Sequence, residues 1–565
     1  MLPPAAGPAL PHPPLELGPA ADASARRQGV VPLARVILAH ALALGIAADL
    51  LLRHGIMGLG YPLWLAIGAL GALALVWRAG RSLPREAGAW LAASILFGAG
   101  LAWRDAARLQ PLDFLASLFA LGMAGIAIGD ERLGLGAARL RDTLWAGAAV
   151  IRSMMAGLAP LVWRDVAIPI DGSEFRGRLA PALRAAAIAV PLLFVFGSLL
   201  RGADPVFASI VALPDLDVGE IASHGVVIGF FTWLGAGWAR AALIEPLSTH
   251  RAPERLPFGL GMLDLTAALG TLNALFALYV VTQLGWFFGG ERFLQARTGL
   301  TAAEYARQGF FQMVWVVVLV VPVLLVTRAA LRPGRDLERR HTTLALPIIA
   351  LLAVMIVSAM LRMRLYVQYY GLTIDRFYPL VFMGWLSVVL AWMALTVLRG
   401  EGRAFVAGAV VTGLATLAAL NLSVPDVIVA RVNVARVRQA AAGAAPRLDL
   451  EHLTRLGGEA VPLAIPAVLA APTSASGSAE RTAEDEARCQ AANRLVARVL
   501  GSRRMPTAEE GDATWREWNL GRASARRAVQ AELPALLAVR HESCPRPPHR
   551  AAAPTAPPVS GTAGR

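Results

Sequence analysis

The densest set of groups able to hold a ligand is the stretch Arg362 to Tyr378, RMRLYVQYYGLTIDRFY. Four of the chain's seven tyrosines, Tyr366, Tyr369, Tyr370 and Tyr378, stand there with Arg362, Arg364, Asp375 and Arg376. Guanidinium forks and phenol rings together can bind phosphate, carboxylate or lipid head groups through charge-assisted hydrogen bonds and stacking. The plainer reading is an interfacial girdle that anchors a helix end at head-group level. A second charged stretch, Gly289 to Arg307, carries Glu291, Arg292, Glu304, Tyr305 and Arg307. Within it Thr301-Ala-Ala-Glu304 is a T-x-x-E capping box, so Glu304 alone reads as a helix cap and Tyr305 as an anchor.

Polar side chains also interrupt apolar runs: His40, Asp49, Asp264, Asn273 and Gln283. Lipid gives such groups no partner, so by default they mark a proton, cation or substrate path; pairing with an arginine near an interface is the plainer alternative. Enzyme signatures are missing. All 53 basic residues are arginine, which excludes a lysine-bearing phosphate loop. No H-E-x-x-H, C-x-x-C or G-x-S-x-G occurs, and the nine histidines lack metal-ligand spacing. The sequence nominates no catalytic residue, metal or cofactor, and leaves open whether the protein is an enzyme.

The elements that must position these groups are membrane helices. In 565 residues, 56% are hydrophobic and 16% charged, with mean hydropathy +0.55, a membrane composition. Leu265–Phe288 carries no formal charge and is long enough, at about 1.5 Å per residue, to cross a hydrocarbon core of about 30 Å. Similar runs are Leu33–Leu52, Ile56–Trp77, Ala87–Trp103, Leu112–Gly129, Ala185–Leu200, Ile221–Leu243, Phe310–Val326, Leu344–Leu361, Tyr378–Leu398 and Ala404–Leu420. The expectation is an all-α polytopic protein of about eleven transmembrane helices with an extramembrane helical tail at the carboxy terminus. Thr143–Trp163 is apolar but centred on Arg152, whose insertion is costly, so it reads as a surface or re-entrant helix. The domain plan is a disordered lead-in over 1–31, a membrane domain over 32–421, a helical tail over 422–544 and a disordered Pro-rich end over 545–565.

Arginines favour the segments that are inside when the amino terminus is cytoplasmic. Eleven spans then put the tail outside, in agreement with both cysteines, Cys489 and Cys544, lying in that tail as a candidate disulfide. The net charge of +14 is spread between spans rather than gathered into a patch, which argues against nucleic acid as a partner.

The runs NALFALYVVTQLGWFFGG and GLTAAEYARQGFF, with RLYVQYYGLTIDRFYPL, NLSVPDVIVARVNVAR and TWREWNLGRA, resemble an uncharacterised bacterial multi-pass membrane family, domain of unknown function 4173. The resemblance implies an architecture and no reaction. The expected role is a transporter-like or ligand-binding and signalling component of a bacterial inner membrane. A membrane enzyme acting on lipid-linked or envelope substrates and a non-catalytic envelope scaffold are the alternatives. Expected partners are the bilayer and an envelope protein or an anionic small molecule or lipid.

Overall fold

A computed structural model describes residues 19–53, 55–135, 140–166, 218–245, 259–298, 310–396, 402–439, 448–471, 479–500 and 515–544, together with positions 185, 189 and 399. The protein is all-α, and no strand occurs among the described residues. Ten described helices are long and apolar enough to cross a membrane, eleven if a bent pair counts as one span. These ten match ten of the eleven expected runs; the remaining one, Ala185–Leu200, lies outside the described residues apart from two isolated positions. Large side chains on the helices stay exposed, among them Leu70, Leu96, Leu115, Val226 and Leu263. Lipid, rather than protein, is the natural cover for them.

The chain divides into two compact units, Met1–Ala99 with Phe114–Leu256 and Glu401–Ala407, and Gly100–Asp113 with Pro257–Gly400 and Gly408–Arg565. In the first, α1 (Pro19–Leu52) runs beside α2 (Gly60–Arg78) and α6 (Val218–Leu243). Ala34, Ala41, Ala236 and Ala239 let these backbones approach closely around Ile37 and Leu161. Because α1 starts at Pro19, helix reaches into the lead-in expected to be irregular; the Ala-rich AADASARR favours it. Helices α3 (Arg85–Trp103), α4 (Gln110–Gly129) and α5 (Leu140–Ala156) follow α2 in the chain. After α5 the chain bends by 65° into a short helix ending at Asp165. Here Arg152 Nη2 donates to Glu245 at 2.9 Å, and Arg240 bridges Asp165 and Glu245, both at 2.8 Å. The charge that discouraged a straight span is thus matched by Glu245, just past the end of α6.

The second unit holds α7 (Met262–Thr298), α8 (Phe310–Ala329), α9 (Arg335–Tyr370), α10 (Ile374–Thr396) and α11 (Gly402–Ser423, from Gly408 on). The tail helices are α12 (Pro425–Gln439), α13 (Leu450–Arg455), α14 (Val461–Leu469), α15 (Ala479–Leu500), α16 (Leu520–Ala531) and α17 (Leu533–Ser543). The tail helices share a core of Val429, Leu453, Ile465, Val468, Leu495, Val529 and Leu536. Cys489 on α15 is bonded to Cys544, just past α17, with Cα atoms 5.1 Å apart. Among the described residues no helix after Ser423 is long and apolar enough to span.

Candidate functional site

Helix α3 ends in an unusual way. The amide of Asp105 would ordinarily donate to the Leu101 carbonyl one turn back, yet it donates to Glu459 Oε1 at 3.0 Å. The vacated Leu101 carbonyl accepts from Asn519 Nδ2 at 2.9 Å, and the same amide group donates to the Arg104 carbonyl at 2.9 Å. Asn519 Oδ1 accepts from the Arg522 amide at 3.0 Å and so caps the start of α16. Asp105 Oδ2 in turn accepts from the Gly458 amide at 3.1 Å. One helix end of the second unit is therefore finished by side chains brought from the tail.

The turn after α3 is polar and buried. Arg104, 8% exposed, donates from Nε to the Asn421 carbonyl at 2.6 Å and stacks over Trp103 at 4.2 Å. Burial pulls the Arg104 guanidinium below its ordinary pKa, while Glu459 and Asp113 pull the other way. Asp113 is wholly buried and accepts from Asn421 Nδ2 at 2.7 Å. Its other oxygen lies so close to Gly100 that any larger residue there would overlap it. Asp426 takes the Gly457 amide at 2.8 Å. Burial raises the pKa of Asp426, opposed by that hydrogen bond, and raises that of Glu459, opposed by the Asp105 amide. Between α11 and α12 Val424 holds φ +54°, a left-handed conformation rare for a β-branched residue.

The Arg/Tyr stretch differs from expectation in secondary structure. The expected spans Leu344–Leu361 and Tyr378–Leu398 leave it between them, but α9 continues unbroken through Arg362, Arg364, Tyr366, Tyr369 and Tyr370 and stops only at Gly371, φ +80°. Nothing before that glycine disfavours helix. Arg376 stacks over Tyr366 at 4.1 Å and donates to the Gly371 carbonyl, and Asp375 pairs with Arg108 at 3.0 Å in an exposed position. Arg362 is buried, whereas Tyr369 and Tyr370 are exposed. The tyrosines and Arg376 thus form a stacked helix end rather than one converging pocket. Tyr370 alone also borders a cavity of ≈ 60 Å³, with Thr373, Asn433, Arg436, Asp449 and His452. Asn433 fixes its wall, accepting from the Leu372 amide at 2.9 Å and donating to the Leu372 carbonyl at 2.6 Å.

The other expected residues separate. Asp49 is buried in α1, held by Arg53 at 3.2 Å and His224 at 2.5 Å, and His40 packs on Gly71 of α2. Asp264 belongs to the other unit, where it accepts from the Gly261 amide at 2.9 Å and caps α7. Asn273 ties α7 to α9 by donating to the Leu344 carbonyl at 2.8 Å, three residues before Pro347. Gln283 lies on α7, but its side chain is outside the described residues, as are Glu304, Tyr305 and Arg307. Among the described residues no three His, Cys, Asp or Glu side chains stand together as metal ligands. Sequence reading missed Arg104, Asp113, Asn421, Arg436, His452, Glu459 and Asn519. The available signal was the polar motifs NLSVPD, GGEA and WNLGRA, two of which belong to the quoted resemblance.

Comparison with known proteins gives one family. A domain of unknown function, DUF4153, matches residues 91–466, more than half of the chain. This corrects the expected family, number 4173, to a different family whose function is likewise unknown. No curated protein and no solved structure matches.

Proposed function

We propose, for a chain that belongs to the DUF4153 family, a membrane-anchored ligand-binding and signalling role in which the folded tail senses and the membrane helices respond. The observation that carries this reading is the exchange of buried hydrogen bonds at the end of α3, where Glu459 and Asn519 replace the helix's own partners. A tail fastened in this way cannot shift without altering the last turn of a membrane helix. Transport through a polar path at Asn273 is less favoured, because its amide nitrogen already donates to the Leu269 and Leu344 carbonyls and so joins two helices.

On the same reading, the membrane is a bacterial inner membrane, with the amino terminus cytoplasmic, 32–421 embedded and the tail of 422–544 extracytoplasmic. Support comes from the arginine distribution and from the bonded pair Cys489–Cys544, a cross-link typical of oxidising compartments. Two measurements test the proposal. A membrane-impermeant thiol reagent applied to intact cells labels these cysteines only after reduction; a requirement for permeabilisation overturns the orientation. Amide exchange of the full chain at Asp105 accelerates in the Cys489→Ser, Cys544→Ser double variant, because the tail loses a cross-link across 55 residues. Unchanged exchange there means that the tail is energetically separate and overturns the sensing role.

A further inference from the structure

We infer that the cleft where the end of α9 meets α12 and α13 is an oxyanion site, taking the phosphate group of a soluble ligand or of a lipid head group. This rests on the sensing role proposed for the tail and names the chemistry that the tail would sense. The cavity holds ≈ 60 Å³. At about 10–15 Å³ per water position this is room for roughly four to six, enough for one phosphate group.

Its lining supplies donors of the right kind. Arg436 reaches the cleft from α12, and its hydrogen bond to the Gln368 carbonyl is 3.5 Å long, at the outer limit for such a bond, so the fork is not consumed by the protein. His452 also lines the cleft, and its Nε2 is buried without a protein partner. Such an atom is disfavoured unless something pairs with it. Tyr370 and Thr373, both hydroxyl-bearing, also line it. Asp449 is the one acid in the lining, and its Oδ1 is turned to the His452 amide at 2.8 Å, where it caps α13. The wall is built for close approach: a methyl group at Gly371 would lie 2.7 Å from Asn433 Oδ1 and 3.1 Å from Arg436 Nη1. Planar, bidentate recognition by arginine with a second nitrogen donor is a common arrangement for phosphate and carboxylate.

The test uses the full chain with its disulfide intact, in nanodiscs of phosphatidylcholine, melted while inorganic phosphate is titrated against chloride at matched ionic strength. Phosphate is expected to raise the melting temperature saturably. Its apparent affinity falls about tenfold or more in Arg436→Gln, the scale of a lost charge-assisted hydrogen bond. Arg436→Lys, which keeps the charge but not the fork, and His452→Gln fall between this and the native protein, whereas Arg527→Gln on α16 binds as the native protein does. In phosphatidylglycerol discs the response to added phosphate disappears if head groups fill the cleft and persists if the ligand is soluble; both results support the site. Equal responses to phosphate and chloride in phosphatidylcholine discs, or an undiminished phosphate response in both Arg436 variants, overturn it. Asp105 exchange reports separately on the sensing role, so either reading can fail without the other.

Discussion

Asn519 offers the sharpest test of how the tail is held. It is 2% exposed and makes three hydrogen bonds, two donated to the Leu101 and Arg104 carbonyls and one accepted from the Arg522 amide. Asn519→Ala removes a helix cap worth about 1 kcal/mol. It also leaves the Leu101 carbonyl buried without its partner, at about 1–3 kcal/mol. The Arg104 carbonyl loses less, because Gln110 Nε2 donates to it at 2.7 Å. The sum is about 2–4 kcal/mol, so amide exchange through undocking of the tail accelerates by roughly 30- to 700-fold. Asn519→Asp separates the two roles. Aspartate caps α16 as well as asparagine does, but it turns a carboxylate oxygen toward two carbonyls and destabilises at least as much as alanine. The assay is hydrogen–deuterium exchange of the full chain, resolved at 101–105 and across α16. Native protection at 101–105 in Asn519→Asp would refute the donated-cap account and reduce Asn519 to a local helix cap.

Two further predictions concern charge and backbone. Glu459 and Asp426 have pKa values raised by burial above their ordinary 4.5 and 3.8, so their contribution is full below those ordinary values and is lost as pH rises through the raised ones. Intrinsic-rate-corrected protection of the Asp105 amide therefore increases from neutral pH toward pH ~5, and Glu459→Gln flattens that profile; an unchanged slope in the variant refutes the assignment. Glu451, whose pKa is lowered by Arg494 and Arg455, acts oppositely at lower pH. The left-handed positions Gly371 and Val424 should respond with opposite signs. Gly371→Ala destabilises by about 1–2 kcal/mol or more, from strain plus the approach of Asn433, whereas Val424→Gly is neutral or stabilising, as thermal melts of the full chain would show.

Membrane helices were legible because their signal is local and redundant: a run such as Leu265–Phe288 needs only length and the absence of charge. Over Thr143–Trp163, expected as a surface or re-entrant helix because of Arg152, the chain bends by 65° between Ala156 and Leu158, beside Gly157 rather than at Arg152. The Arg/Tyr stretch misled for a physical reason. Polarity marks where a helix leaves the membrane, not where it ends, and α9 runs on until Gly371 supplies the positive φ that helix termination favours.

The polar clamp was illegible for a different reason. Capping rules look for a partner within one turn, as with Asp449 and His452. Glu459 and Asn519 satisfy backbone groups 354 and 418 positions away in sequence. In the sequence Glu459 is only a polar residue beside a glycine and Asn519 one two positions before a glycine, descriptions equally true of many surface turns. What distinguishes them is an unmet demand elsewhere: the segment RDAARLQP after α3 offers no glycine to finish the helix, so its last carbonyls must find donors outside it. Counting orphan backbone groups at each predicted helix end identifies where such donors are needed, although not which residues supply them. The final turn of α3 thus shares its hydrogen bonds with a distant tail, and on the sensing role proposed above this shared turn is the element through which binding at the tail would be coupled to the helix.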